Sequence, residues 1–173
     1  MGTNYSGRVW LLSDEVDTGQ LIPGQYLPIT DPYELARHAL EAVRPDFATG
    51  VQLGDIIVAG KNFGCGSSRE HAAKALKFAG VSVVLAESFA RIFFRNAFNI
   101  GMAAVPLPGI TKIVSEGDRL EVSLAEGKVK NLTTGVEISF AQLPPVMVRI
   151  LESGGIIPYT SDKLKVGCGD SGG

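Results

Sequence analysis

The chain has 173 residues, of which 45% are hydrophobic and 20% charged, as expected for a single globular domain with one core. Its formal net charge of −2 gives no electrostatic reason to expect a nucleic-acid or anionic membrane partner. No apolar run is long enough to cross a bilayer, and the first residues lack the basic and apolar blocks of a signal peptide. We therefore expect a cytoplasmic protein that binds neither nucleic acid nor membrane.

The first third of the chain predicts one strand and one helix. Residues 7–12 are predominantly apolar and predict a strand. A polar loop follows, with a turn at residues 23–24 (Pro-Gly). Thr30 or Asp31 before a proline predicts a helix N-cap, and apolar residues at helical spacing extend the helix over residues 33–43.

A β-α-β unit forms the predicted centre. Residues 55–59 are apolar and β-branched and predict a buried strand. Strong helix formers follow at 72–78, closed by Gly80, and residues 81–86 predict a second buried strand. This order implies parallel strands joined by a right-handed crossover.

The second half predicts further helices and an antiparallel meander. We expect a helix over 87–100 and a short strand at 103–108. Alternating apolar and polar residues then predict three strands, and a proline pair opens a last helix; these segments are 120–124, 128–132, 136–140 and 146–152. The fold class predicted is α/β, with one domain over residues 1–165 and a disordered glycine-rich tail at 166–173.

The glycine- and serine-rich turn at residues 62–71 is the main candidate for chemistry. Ser67 followed by Glu70 matches a capping box, which would put the helix N-terminus at the serines. Free N–H groups and Arg69 would favour an anion there, with a carboxylate as the expected ligand. The alternative is a capped helix with a surface arginine.

Two strings make this turn resemble a known family. Residues 66–71 read Gly-Ser-Ser-Arg-Glu-His, and residues 88–96 read Ser-Phe-Ala-Arg-Ile-Phe-Phe-Arg-Asn. Together they resemble the small subunits of the isopropylmalate isomerase and homoaconitase branch of the aconitase family, over residues 7–160. The resemblance implies a three-layer β/β/α swivelling domain, like aconitase domain 4, with a β-α-β centre and a β meander.

The resemblance also implies a function and a partner. It implies a hydro-lyase that moves a hydroxyl between adjacent carbons of a hydroxy-dicarboxylate by dehydration and rehydration. Such a subunit closes over a large subunit that carries an iron–sulfur cluster. Cys65 and Cys168 alone cannot form a metal cage, so we expect this chain to bind no cofactor or metal itself. Apolar surface meant for the large subunit makes homo-oligomers possible when the chain is isolated.

Carried over residue by residue, the resemblance assigns roles within the turn. Ser67 matches the serine that, as an alkoxide, abstracts the carbon-bound proton, and Ser68 and Arg69 match groups that hold a substrate carboxylate. The alternative role for Ser67 is the helix N-cap. The two roles could also follow one another, with Ser67 a cap in the free subunit and a base in the closed complex. Cys65 is interpreted as a small residue that fills the turn, not as a nucleophile.

Two departures from the family pattern bear on chemistry and substrate. Gly19 stands where relatives usually carry an aspartate, which leaves the acid's role to Asp17, Asp14 or Glu15, or points to a non-catalytic carboxylate-binding domain. Pro28 and Ile29 stand where tricarboxylate-specific members place an arginine. An apolar wall would leave an extra carboxylate unpaired, so we expect isopropylmalate first, a methylated malate second, and homoaconitase activity as the further alternative.

Overall fold

The backbone is organised around one seven-stranded mixed sheet, in a computed structural model that describes residues 3–169. Its strands in chain order are β1 (Asn4–Leu11), β2 (Ile56–Ala59), β3 (Val83–Ala86), β4 (Ala103–Pro106), β5 (Arg119–Ser123), β6 (Lys128–Asn131) and β7 (Glu137–Ser139). The spatial order is β4-β3-β2-β1-β5-β6-β7, so the first strand lies in the middle of the sheet.

Helices connect and cover the strands. In chain order they are α1 (Thr18–Leu21), α2 (Pro32–Ala36), α3 (Phe47–Gly50), α4 (Glu70–Ala79), α5 (Arg91–Asn99), α6 (Pro145–Ser153) and α7 (Ile156–Gly169). Short 3-10 turns lie at Gly24–Tyr26 and Ile110–Lys112. None of the helices within residues 3–169 is long and apolar enough to span a membrane.

The parallel half of the sheet contains the predicted β-α-β unit. β2 and β3 pair in parallel, with Val58 opposite Leu85, and α4 forms the crossover between them. β1 and β4 add to this half, also in parallel. Every residue of β2 and β3 is buried, which is why both strands are continuous apolar runs.

The antiparallel half is the predicted meander. β5 pairs with β1, β6 with β5, and β7 with β6, all antiparallel. Exposed and buried residues alternate along β5 and β6, so one face of this half is solvated.

A polar cluster joins β1 to β2 inside the core. Asp55 is buried, and it accepts hydrogen bonds from Trp10 Nε1 (2.9 Å), the backbone N–H of Gln52 (2.9 Å) and Arg8 Nη2 (3.2 Å). The Arg8 and Arg44 guanidinium carbons lie 4.9 and 4.8 Å from the Trp10 ring centroid. Trp10 is therefore held by two cations and a carboxylate.

The predicted helix at 33–43 is too long. Asp31 caps α2 by accepting from the N–H of Tyr33 (2.9 Å), as predicted, but the helix ends at Ala36. Leu40 has a φ of +58°, and its N–H donates to Leu21 O (2.9 Å). A left-handed residue cannot continue a helix, so the segment to 43 forms turns.

One further helix begins later than predicted, and one helix was not predicted. α5 begins at Arg91 and not at Glu87, because the intervening backbone pairs with Phe63 and the Glu87 side chain bonds to another loop. α7 runs through Gly169, into the segment predicted to be disordered; residues 170–173 of that segment lie outside the described residues.

Candidate active site

The glycine-rich turn follows β2 at the carboxyl end of the parallel strands, the edge where α/β sheets commonly bind ligands. On one side it bonds to the 16–18 segment, with Gly64 N–H donating to Val16 O (2.8 Å) and Thr18 N–H donating to Cys65 O (2.9 Å). On the other side it bonds to residues 88–90, which follow β3. Three segments distant in sequence are thus fixed side by side.

Two glycines are required by the shape of this turn. Gly64 has a φ of +82° and Gly66 a φ of +95°. A side-chain carbon at Gly64 would clash with Cβ and the ring of Phe93. Glycine tolerates both the conformation and the close approach.

Ser67 does not cap α4. Helix α4 begins at Glu70, its N-cap position is Arg69, and no side chain caps it. The capping-box prediction is therefore wrong here, and so is the N-cap alternative for Ser67. A capping box forms instead on α1, where Asp17 Oδ1 accepts from Gln20 N–H (2.8 Å) and Gln20 Oε1 accepts from Asp17 N–H (2.9 Å).

The Ser67 hydroxyl lies on the surface beside a buried threonine. Ser67 is exposed, and its Oγ lies 3.2 Å from Thr18 Oγ1. Thr18 is only 3% exposed, and its Oγ1 is also within 3.1 Å of the Ser67 carbonyl oxygen. The serine predicted to be the base thus has a hydroxyl partner on the 17–20 segment.

Arg69 lies over the 19–24 segment. Its Nη1 donates to Ile22 O (3.2 Å), and a side-chain carbon at Gly24 would be 3.4 Å from Nη2. The guanidinium is half-buried, while Ser68 beside it is exposed. The structure therefore brings Ser67, Ser68 and Arg69 to one end of the sheet, next to α1.

Gly19 faces Arg69. A side-chain carbon at Gly19 would be 3.6 Å from Arg69 Nη1 and 3.3 Å from Asp17 Oδ1. Asp17 caps α1, and Asp14 Oδ1 accepts from Lys61 N–H (2.7 Å). Both carboxylates are therefore already hydrogen-bonded to backbone N–H groups. Neither carboxylate is placed as a free replacement for an aspartate at position 19.

The 28–29 segment behaves as two separate positions. Ile29 is half-buried and lines a groove of about 310 Å³ between the 27–35 segment and α4. Pro28 is exposed and does not line this groove. The opposite wall carries His71 and Lys74, two residues not predicted to belong to the site. Their spacing along α4 places them on one face.

The Cys65 thiol is poorly suited to act as a nucleophile. Burial raises its pKa above the ordinary value, and the charge of Asp17 adds to this effect. Among residues 3–164, whose side chains the structure describes, no three or more His, Cys, Asp and Glu side chains are grouped to hold a metal ion.

Comparison with known proteins identifies the family of this chain. Residues 40–109 match the model of the aconitase C-terminal domain. An isopropylmalate/citramalate isomerase small subunit from Methanocaldococcus jannaschii is 53% identical over 164 residues, covering 95% of this chain and 98% of that protein. The chain belongs to the 3-isopropylmalate dehydratase small-subunit family.

Other members of this family agree with the assignment. The 3-isopropylmalate dehydratase small subunit of Aquifex aeolicus is 52% identical over 165 residues, covering 95% of this chain and 98% of that protein. The crystal structure of a 3-isopropylmalate dehydratase from M. jannaschii superposes with a TM-score of 0.92 at 38% identity, covering 97% of this chain and 99% of that one. These findings confirm the resemblance, the swivelling-domain fold and the hydro-lyase class.

Proposed function

We propose that this chain is the small subunit of a cytoplasmic hydro-lyase that converts 2-isopropylmalate to 3-isopropylmalate in leucine biosynthesis. One observation carries the proposal. Relatives named 3-isopropylmalate dehydratase small subunit are about 50% identical to this chain over nearly its whole length. The seven-stranded sheet and the site at its carboxyl edge are consistent with that assignment.

The proposed enzyme needs a large subunit. The relatives are named small subunits of a dehydratase, and the site described above is an open surface on one chain. We place the iron–sulfur cluster on that partner.

On this chain, we assign proton transfer to Ser67. Its exposed hydroxyl can meet a substrate held against the partner, and Arg69 supplies a positive charge nearby that favours an alkoxide. Ser68 and Arg69 bind one substrate carboxylate, since a guanidinium matches a carboxylate in shape and charge. Arg69 has further donors beyond the one used on Ile22 O.

The groove beside α4 supports a substrate with a short alkyl group. Three residues, Leu27, Ile29 and Leu35, form an apolar wall of this groove. Of the predicted pair at 28–29, only Ile29 lines the groove. Citramalate carries a methyl group where isopropylmalate carries an isopropyl group. The M. jannaschii relative's name includes both compounds, so a citramalate isomerase is the second candidate.

A substrate panel on the reconstituted pair tests the proposal. The chain is mixed with the cluster-bearing large subunit of the same organism and assayed on isopropylmalate, citramalate and homocitrate, with each subunit alone as control. We expect turnover only in the mixture, with the highest kcat/KM on isopropylmalate.

Other outcomes decide between the alternatives. A higher kcat/KM on citramalate or homocitrate would change the assigned substrate but leave the assigned type of reaction unchanged. Binding of isopropylmalate without turnover in an assembled pair would favour the non-catalytic carboxylate-binding domain. Turnover by this chain alone would contradict the need for a partner.

A further inference from the structure

The Thr18 hydroxyl has two oxygen neighbours on the same residue, Ser67. Thr18 Oγ1 is 3.1 Å from the Ser67 carbonyl oxygen and 3.2 Å from Ser67 Oγ. A threonine hydroxyl carries one proton, so it donates to only one of them at a time. Thr18 is 3% exposed, so water has little access to compete for this proton.

We infer that Thr18 is a positioning residue for Ser67, an inference that rests on the proposed proton-transfer role of that serine. While Ser67 is protonated, Thr18 donates to the Ser67 carbonyl and accepts from Ser67 Oγ–H. When Ser67 Oγ loses its proton to solvent, the Thr18 hydroxyl turns and donates to the alkoxide. The alkoxide then takes the carbon-bound proton of the substrate and becomes a hydroxyl again. The C–H electron pair forms the carbon–carbon double bond as the hydroxyl on the adjacent carbon leaves, and Thr18 keeps its own proton throughout.

The Ser67 carbonyl is not left unsatisfied by this turn. It also accepts the backbone N–H of Arg69 at 2.9 Å. The rearrangement therefore exchanges a neutral hydrogen bond for a charge-assisted one, which is the stronger kind. A hydrogen bond that forms only to the charged state lowers the pKa of the group that receives it.

The neighbouring backbone keeps Thr18 in place and leaves room for its hydroxyl to turn. The Asp17–Gln20 capping box fixes the start of α1, and Thr18 N–H donates to Cys65 O (2.9 Å). A side-chain carbon at Gly66 would stand 3.5 Å from Thr18 Oγ1, and glycine leaves that space empty. The Thr18 backbone is thus fixed against the glycine-rich turn, while the space beside its hydroxyl stays open.

Thr18→Val in the reconstituted pair tests the inference, because valine keeps the shape and removes the hydroxyl. We expect kcat on 2-isopropylmalate to fall by roughly 10- to 100-fold, with KM changed by about twofold or less. The rising limb of the profile of kcat against pH should move to higher pH by about one unit, since the alkoxide loses a donor. Thr18→Ser should restore both kcat and the profile, and Thr49→Val on α3 serves as the matched control.

The outcomes separate this inference from the proposed function. An inactive wild-type pair would contradict the proposed function. An active wild-type pair with a Thr18→Val variant of normal kcat and unchanged pH profile would overturn the positioning role alone. If the valine variant does not fold, Thr18→Ala replaces it without branched bulk, and failure of both to fold would show that Thr18 is purely structural.

Discussion

At the scale of single residues, Ser67 is the position on which the proposed chemistry depends. Ser67→Ala removes the hydroxyl and leaves the turn, whose conformation is set by Gly64, Gly66 and backbone hydrogen bonds. We expect turnover by the reconstituted pair to fall by about 10³-fold or more, because the proton acceptor is lost. Steady-state assays with isopropylmalate provide the measurement.

Assembly is the necessary companion measurement for this variant. Size-exclusion chromatography of the mixture should show the same complex for Ser67→Ala as for wild type. Ser139→Ala, at an exposed position on β7, is the matched control and should retain full activity. A near-normal rate for Ser67→Ala would remove Ser67 from the mechanism.

The Cys65 thiol should be dispensable. Since burial raises its pKa, the thiol stays protonated at neutral pH and is a weak nucleophile. Cys65→Ala should keep turnover within about threefold of wild type, because only packing in the turn changes. Loss of activity together with rapid alkylation of Cys65 by iodoacetamide at pH 7 would show that the thiol takes part.

Local patterns single out residues 67–69 as candidates for chemistry but do not show how these residues are arranged. The Ser-x-x-Glu pattern at 67–70 predicts a cap from spacing alone, yet α4 begins at Glu70 and the Ser67 hydroxyl lies beside Thr18. That partner lies on another segment, 49 residues away in sequence. No local periodicity reports such a contact.

At the scale of elements, Glu87 fixes the end of β3 to the loop after β4. Its carboxylate accepts from Gly109 N–H (2.6 Å), Thr111 N–H (3.0 Å) and Thr111 Oγ1 (2.6 Å). Burial opposes ionisation, but the hydrogen bonds from Thr111 and Gly109 outweigh it and hold the pKa of Glu87 below its ordinary value. The hydrogen bonds from Gly109 and Thr111 therefore stabilise the fold when the Glu87 carboxylate is ionised.

Glu87→Gln should lower stability in a pH-dependent way. A carboxyl with a lowered folded-state pKa contributes stability above its unfolded pKa, which is about 4.3, and loses it as pH falls through the folded pKa. We expect Tm to drop by about 3–6 °C at pH 7 and the difference to shrink below about pH 4. Thermal melts followed by circular dichroism between pH 3 and 7 provide the test, with exposed Glu126→Gln as control.

A Tm difference that stays constant or grows as the pH falls would contradict this account of Glu87, since the amide variant does not titrate at this position.

The 28–29 segment offers a test of substrate preference. Pro28→Arg places a cation beside the groove at an exposed position, where it should not disturb the core. We expect the kcat/KM ratio of homocitrate to isopropylmalate to rise by about tenfold, because a third carboxylate gains a partner. Pro28→Gln removes the proline without adding charge, and the same rise in that variant would contradict the electrostatic reason.

Element types were predictable from sequence, whereas several bounds were not. Buried apolar runs and alternating residues identified the strands of both halves of the sheet. The helix starting at Pro32 carried the right cap and spacing, but it ends at Ala36, and the Leu40 N–H bonds to Leu21 O instead of continuing it. Bonds between distant segments override local propensity.

At the scale of the whole molecule, Asp55 connects the two central strands through the chain's single tryptophan. Asp55→Ala would leave Trp10 Nε1, Gln52 N–H and Arg8 without their shared acceptor. We expect the free energy of unfolding to fall by about 2–4 kcal/mol, the range for losing a buried charged partner. Urea unfolding followed by Trp10 fluorescence and by circular dichroism measures it.

The two probes also test cooperativity, because Trp10 reports the centre of the sheet and circular dichroism reports all elements. Coincident transitions are expected for one domain. Exposed Glu121→Ala is the control. Unchanged stability in Asp55→Ala would mean that the cluster contributes little.

The central place of β1 has a consequence for synthesis on the ribosome. The neighbours of β1 are β2, made about fifty residues later, and β5, made more than a hundred residues later. The nascent chain can complete the parallel half once β4 has emerged, yet one edge of β1 stays unpaired until β5 arrives. A newly made chain therefore passes through a stage with an open sheet edge at its own centre.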